Sequence, residues 1–182
     1  MTRIIPPRWR IPLLFAGVTV LAYGLLLPLT GFYWDDWPFA WLARFGGPAE
    51  FIPAFRGFRP FLGPIFFATT SLVPPDPLAW QVFALVIRWL SGLAAWFAFG
   101  SVWPEHRRET LIASLLFLVF PGYSQHWVAL THVNQEWIPL LFYLLSFGLS
   151  ARALRGHSPR RSTALALLCA AAGLFPTEYF FG

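Results

Sequence analysis

Residues 11–29 form a run of nineteen amino acids without a charged side chain. As an α-helix this run is about 28 Å long, close to the ~30 Å thickness of the hydrocarbon core of a bilayer. Three arginines precede it, and the carboxylates Asp35 and Asp36 follow it. A cleaved signal peptide has a shorter apolar core and a small-residue cleavage site, which this stretch does not offer. The run therefore predicts an uncleaved transmembrane helix with its N-terminus in the cytoplasm.

The composition of the 182 residues fits a protein that resides in lipid. Hydrophobic residues make up 57% and charged residues only 12%, which leaves too little polar surface to cover a water-soluble globule. All 13 basic residues are arginines. They cluster between apolar segments and not along one face, so topology explains them better than nucleic-acid binding does. We predict an all-α, multi-pass integral protein of the cell membrane.

The apolar runs predict about five transmembrane helices in a single domain, 1–182. The outer loop, 30–77, is rich in aromatic residues, Pro and Gly, and predicts short interfacial or re-entrant helices. Counting residues 61–73 as a further full span would reverse every later segment and move the arginines at 152–161 outside, against the positive-inside rule. The predicted spans are 11–29, 78–102, 110–129, 133–151 and 163–181, and we expect a kink at Pro121.

Polar residues collect at the outer ends of these spans. Interrupted helices with polar ends are tolerated only where they line a wet cavity or are buried in protein. The spans are therefore predicted to enclose a crevice that opens on the extracytoplasmic side. The expected lining residues, besides the two aspartates, are Gln125, His126, His132, Asn134, Glu136 and Glu178.

Each polar group has a structural interpretation beside a functional one. One aspartate can cap a helix that begins at Trp37-Pro38, and the other, beside a like charge, is then the better general base. We expect Asp36 to be the cap and Asp35 the base. His132 and Glu136 are one helical turn apart, which fits a hydrogen-bonded pair and also, more weakly, two metal ligands.

Three arginines outside the basic clusters are candidates for binding a phosphate. Arg56 and Arg59 lie in the outer loop, where they can snorkel to the interface or bind a phosphate through a bidentate guanidinium. Arg88 lies inside the second span, where its charge needs a carboxylate, backbone carbonyls or a lipid phosphate as partner. We expect Arg88 to face the crevice and to be shielded from lipid.

The order of these features resembles the polytopic glycosyltransferases of the GT-C superfamily, which use polyprenyl-phosphate-linked sugars. That superfamily includes protein O-mannosyltransferases and lipid A aminoarabinose transferases. The residues that carry the likeness are FYWDDW at 32–37, RGFRPF at 56–61, FPGYSQHW at 120–127 and PTEYF at 176–180. Members of the family are usually much longer, so this chain looks like the N-terminal part of a longer GT-C-like domain.

The resemblance implies an inverting membrane glycosyltransferase. Asp35 or Asp36 would act as general base on a lipid, glycan or protein acceptor, and Arg56, Arg59 or Arg88 would stabilise the leaving polyprenyl phosphate. Some members use a divalent metal instead of arginines, or with them, and the sequence leaves the cofactor and any metal ligands undecided.

Two other functions fit parts of the pattern. A polytopic transporter or lipid flippase also needs broken helices and buried charge, and Arg88 suits it. Its site would lie near the membrane midplane between repeats, whereas no repeat is visible and the polar residues lie towards one face. A non-catalytic membrane subunit that packs against partner helices is the third interpretation.

Overall fold

The computed structural model of the protein describes residues 6–120 and 127–177. Every regular element in these two ranges is helical, and they contain no β-strand, which confirms the all-α class. The α-helices are α1 (Pro7–Thr19), α2 (Asp36–Phe45), α3 (Phe51–Phe55), α4 (Leu62–Leu72), α5 (Pro77–Val102), α6 (Arg107–Leu118), α7 (Ala129–His132), α8 (Ile138–Leu154) and α9 (Pro159–Leu174).

Three helical stretches are long and apolar enough to cross a membrane, which fits the prediction of a membrane protein with transmembrane helices. They are Trp9–Leu29, Pro77–Val102 and Ala129–Leu154. The first consists of α1, a π-helical turn at Val20–Gly24 and a 3₁₀ turn. The third consists of α7, a second π-helical turn at Val133–Trp137 and α8.

The other predicted spans differ from the observed helices. Where one span was predicted for 110–129, α6 has 12 residues, and Ala129 already begins the next helix. α9 has 16 residues and ends at Leu174, short of the predicted 181. α4 has 11 residues, fewer than the roughly 17–25 that a spanning helix needs. The predicted kink at Pro121 lies outside the described residues.

Helix α5 is the centre of the bundle and packs against α1, α6 and α8, while α9 packs on α8. Two glycines allow these contacts to be close. A Cβ at Gly148 would lie 2.5 Å from the ring of Phe97, and a Cβ at Gly173 would lie 2.8 Å from the carbonyl oxygen of Pro139. Such small residues are typical of helix interfaces in membranes, because they let two backbones approach.

The segment 30–77 folds against one end of this bundle. Its helices α2, α3 and α4 surround a cluster of phenylalanine rings, in which Phe66 lies 4.9 Å from Phe39 and 4.9 Å from Phe55 between ring centroids. Asp76 then caps α5 by accepting a hydrogen bond of 2.9 Å from the backbone N–H of Ala79. We call this end of the bundle the aspartate end, and the opposite end, at Val102 and Leu154, the arginine end.

Candidate functional site

The side chain of Asp36, which was expected to cap the helix that begins at Trp37-Pro38, is buried. It is 0% exposed, and both its oxygens accept hydrogen bonds from another part of the chain. Oδ2 accepts from the backbone N–H of Ala129 at 2.9 Å, and Oδ1 accepts from that of Thr131 at 2.8 Å. These N–H groups belong to the first turn of α7, which has no preceding turn to satisfy them. Asp36 thus caps a helix that begins 93 residues later in the chain.

The prediction that Asp36 caps the helix in which it lies is therefore wrong. The helix begins at Asp36, its N-cap position is Asp35, and no side-chain hydrogen bond caps it there. Burial raises the pKa of Asp36 above its ordinary value, and it outweighs the hydrogen bonds from Thr131 and Ala129, which favour the charged form. Asp35, in contrast, is exposed. The backbone between Tyr33 and Asp35 turns through a left-handed residue, Trp34, with φ of 46°.

Two buried amides join the same region of the fold. Gln81 on α5 is 2% exposed, and its Nε2 donates to the carbonyl oxygens of Gly31 at 3.2 Å and Trp127 at 2.7 Å. Asn134 donates to the carbonyl oxygen of Leu130, and its Oδ1 accepts from the hydroxyl of Thr69 on α4 at 2.6 Å. These amides belong to what we call the polar seam, which fixes the segment 30–77 onto α5 and α7. Its members are Asp36, Thr69, Gln81 and Asn134.

The guanidinium of Arg88 lies between two aromatic rings. It is 4.1 Å from the centroid of Tyr23 and 3.9 Å from that of Trp137, and the residue is only 4% exposed. The prediction that Arg88 is buried inside the bundle is confirmed. Tyr23 and Trp137 belong to the two π-helical turns, Val20–Gly24 and Val133–Trp137. Such turns occur frequently at functional sites.

A cavity of about 330 Å³ shares Tyr23 with the surroundings of Arg88 and Gln81 with the polar seam. Tyr23, which stacks on Arg88, forms one wall, and Gln81 of the seam forms another. Tyr33, two residues before Asp35, contributes a third. The cavity combines apolar walls with a few hydroxyl, amide and indole groups, as small-molecule sites usually do. The remaining lining residues are Leu26, Leu27, Thr30 and Trp127.

The other predicted site residues are dispersed. Arg56 is exposed at the end of α3. Arg59 has a left-handed backbone, with φ of 54°, and its guanidinium lies 4.7 Å from the ring of Phe58. His132 Nδ1 is 3.5 Å from Glu136 Oε2, in agreement with a paired His and Glu. Gln125, His126 and Glu178 lie outside the described residues.

Metal binding in a protein needs several ligand side chains close together, and residues 6–120 and 127–177 can be searched for such a group. Within these ranges no group of three or more His, Cys, Asp or Glu side chains is placed so that it could hold a metal ion. The pair formed by His132 and Glu136 therefore has no described third ligand of these types.

Three residues around the cavity and Arg88 were not predicted from the sequence: Tyr23, Gln81 and Trp137. A polar or amphipathic residue within an apolar run was the available signal for Tyr23 and Gln81. The role of Trp137 depends on a π-helical turn, which has no recognisable pattern in the sequence around it.

This chain matches no protein-family model, no curated protein and no solved structure. The resemblance to GT-C glycosyltransferases therefore depends on the quoted residues alone, and it remains a prediction.

Proposed function

We propose that the protein is a membrane glycosyltransferase that transfers a sugar from a polyprenyl phosphate to an acceptor at the aspartate end of the bundle. The observation that carries the proposal is the cavity of about 330 Å³ that is lined by Tyr23. Tyr23 belongs both to the wall of this cavity and to the aromatic pair around the guanidinium. Tyr33 connects the cavity wall to the aspartates, since its carbonyl oxygen accepts a hydrogen bond of 2.9 Å from the backbone N–H of Asp36. A site for a lipid-linked sugar needs this combination of an apolar surface, a cation and a nearby carboxylate.

Burial favours Asp35 over Asp36 as the general base. Asp36 has both oxygens engaged by backbone N–H groups, so it cannot approach an acceptor without releasing α7. Asp35 is exposed and makes no hydrogen bond to cap its own helix. Its neighbour Asp36 is tied to α7 by two hydrogen bonds, and the left-handed Trp34 precedes Asp35. Such a division of roles leaves Asp35 positioned and accessible.

The proposed reaction is a single displacement. The acceptor hydroxyl or amine gives its proton to the carboxylate of Asp35 while its oxygen or nitrogen attacks the anomeric carbon. The bond from that carbon to the phosphate oxygen breaks, and the polyprenyl phosphate leaves with the electron pair, so the anomeric configuration is inverted. A phosphate leaving group needs no general acid.

Arg88 is the arginine best placed to stabilise the charge on the leaving phosphate. It is buried against the ring of Tyr23, which lines the cavity, and a cation in such a region acts more strongly than it does in water. The rings of Tyr23 and Trp137 hold the guanidinium plane by cation–π contacts. Arg56 and Arg59 are assigned to the approach of the lipid phosphate, since they lie in the same 30–77 segment.

The topology that suits this reaction has five spans. In it the segments that contain α6 and α9 are the third and fifth spans, the N-terminus and the arginine end are cytoplasmic, and the aspartate end is extracytoplasmic. α2, α3 and α4 then lie in the interface, where their exposed aromatic residues, Trp37 and Trp41 among them, contact the headgroup region.

The proposal is tested by assaying the full-length protein in proteoliposomes with polyprenyl-phosphate mannose and polyprenyl-phosphate aminoarabinose as donors. The measurement is the release of free polyprenyl phosphate. Asp35→Asn keeps the size of the side chain but removes the proton acceptor, so the rate should fall at least about a hundredfold. The matched control is Asp76→Asn, which removes a carboxylate from the same segment but keeps the capacity to cap α5, and it should stay near the wild-type rate.

Three results would contradict the proposal. One is release by Asp35→Asn at the wild-type rate from a donor that the wild type uses. The second is movement of either donor across the bilayer with its sugar–phosphate bond intact, which would favour the transporter or flippase instead. The third is binding of neither donor, which would leave a non-catalytic subunit as the better description.

A further inference from the structure

The arginine end of the bundle contains a second cleft, which the proposed glycosyl transfer does not use. Its volume is about 600 Å³, and it opens between the start of α1, the end of α5, the start of α6 and the end of α8. Its described polar lining contains no carboxylate. The basic groups there are Arg107, Arg152, Arg155 and His157, and the apolar wall beside them is formed by Ile11, Trp96, Phe97 and Gly100.

Contacts within the fold orient two of these arginines. Arg155 donates from Nη2 to the carbonyl oxygen of Val102 at 2.6 Å, which is at the end of α5. The guanidinium of Arg152 lies 5.8 Å from the ring of Phe97. A guanidinium has five N–H donors, so one bond to Val102 leaves Arg155 with further donors for a ligand. These two arginines are exposed, and each has one contact with the fold that places it beside the cleft.

Two acidic residues, Glu105 and Glu109, flank Arg107 in the sequence, but neither belongs to the described lining of the cleft. Glu105 is exposed. Glu109 lines a separate cavity of about 530 Å³, where its Oε2 lies 4.0 Å from Nδ1 of His106. No described lining residue therefore neutralises the positive charge of the cleft. A complementary ligand carries negative charge, and the apolar wall indicates that it also carries a hydrocarbon portion.

We propose that this cleft binds an anionic phospholipid, with the headgroup phosphate held by Arg107, Arg152 and Arg155 and the acyl chains along the wall formed by Trp96 and Phe97. Basic pockets between transmembrane helices bind the headgroups of anionic lipids in this way. Guanidinium groups suit a phosphate because they form paired, charge-assisted hydrogen bonds. A lipid suits the site better than a free phosphate does, because its headgroup contacts the arginines and its acyl chains contact the apolar wall.

The test uses the full chain, purified in a neutral detergent, and native mass spectrometry to count bound lipid. The probes are dioleoyl-phosphatidylglycerol, dioleoyl-phosphatidylcholine and inorganic phosphate. The wild type should bind phosphatidylglycerol roughly tenfold more tightly than phosphatidylcholine. The headgroup of phosphatidylglycerol is anionic, whereas the choline group of phosphatidylcholine neutralises its phosphate. Excess inorganic phosphate should not displace the bound lipid.

The cleft variant is Arg152→Gln with Arg155→Gln, and its matched control is Arg160→Gln with Arg161→Gln. Both lose two positive charges at the same end of the bundle, but the control residues do not line the cleft. The cleft variant should bind phosphatidylglycerol about tenfold more weakly, and the control should stay within about twofold of the wild type. Circular dichroism and gel filtration check that each variant is folded.

A third variant keeps every charge. Nothing lies within 4 Å of a Cβ built at Gly100, so Gly100→Phe fills the cleft without a clash at that atom and should also weaken phosphatidylglycerol binding. If Arg152→Gln with Arg155→Gln does not fold, Gly100→Phe still tests whether phosphatidylglycerol binds in the cleft. The proposal is overturned if both double variants lose affinity equally, since diffuse charge would then explain the binding. Equal binding of the two lipids, displacement by inorganic phosphate, or normal binding by Gly100→Phe would overturn it as well.

Discussion

The buried carboxylate of Asp36 offers a direct test of how the segment 30–77 is held on the bundle. Asp36→Asn preserves the size of the side chain but leaves it with one acceptor oxygen where the carboxylate has two. One of the N–H groups of Ala129 and Thr131 would then face the amide NH₂, and two donors cannot bond to each other. Rotating the amide by 180° only exchanges which N–H group is unsatisfied.

The cost follows from these two bonds. Leaving one of these buried N–H groups without an acceptor costs about 1–3 kcal/mol, and this holds for either protonation state of Asp36 because a carboxyl hydroxyl oxygen also accepts. We therefore expect Asp36→Asn to lower the free energy of unfolding by about 1–3 kcal/mol. Asp35→Asn is the matched control. It should change stability by less than about 0.5 kcal/mol, because Asp35 is exposed and caps nothing.

Stability can be measured by reversible unfolding in mixed micelles, followed by the fluorescence of the ten tryptophans. Hydrogen exchange supplies a local measurement, since the amides of Ala129 and Thr131 should exchange faster in Asp36→Asn than in Asp35→Asn. Equal stability of the two variants, or unchanged exchange at α7, would refute the assignment of Asp36 as the cap of that helix.

The pH dependence supplies an independent check on the same residue. Because burial raises the pKa of Asp36, the folded state binds its proton more tightly than the unfolded state does. The corresponding stability is complete below the ordinary pKa of 3.8 and is lost as the pH rises through the folded-state pKa. The stability difference between the wild type and Asp36→Asn should therefore narrow as the pH rises from about 4 towards neutrality, and a widening difference would contradict this reasoning.

Three further predictions concern the rest of the bundle. Arg88→Leu removes the buried charge that the proposed reaction needs, so the protein should stay in the membrane while release of polyprenyl phosphate falls at least about a hundredfold; loss of the protein from the membrane would show that the arginine is structural. Gly173→Ala should destabilise by about 1–3 kcal/mol in the same unfolding assay, because the new Cβ meets backbone atoms of α8, whereas Gly100→Ala, in open space, should be neutral or stabilising. In intact cells, a membrane-impermeant thiol reagent should label a cysteine at position 50 and not one at 157, and labelling at 157 would exclude the proposed topology.

Several features of the fold could be predicted from the sequence because they depend on local properties. The length of an apolar run limits what it can span, so 11–29 and 78–102 predicted two of the three long apolar helices closely. A charge within an apolar run must avoid lipid wherever the run lies, so Arg88 could be expected inside the bundle. The predicted start of the second span at residue 78 is within one residue of the observed start of α5 at Pro77.

Which of two adjacent aspartates is buried could not be predicted, because it depends on a helix terminus far along the chain. Local capping rules consider only the helix that follows, and here the orphan N–H groups that attract the carboxylate belong to α7, 93 residues away. The aromatic rings around Arg88 likewise come from segments that are far apart in the chain. Its charge required burial, but the choice of the Tyr23 and Trp137 rings depends on two π-helical turns brought together by packing on α5. The sequence thus determined which groups need partners, and the tertiary structure decided which partners they have, since those contacts join segments that have no local pattern in common.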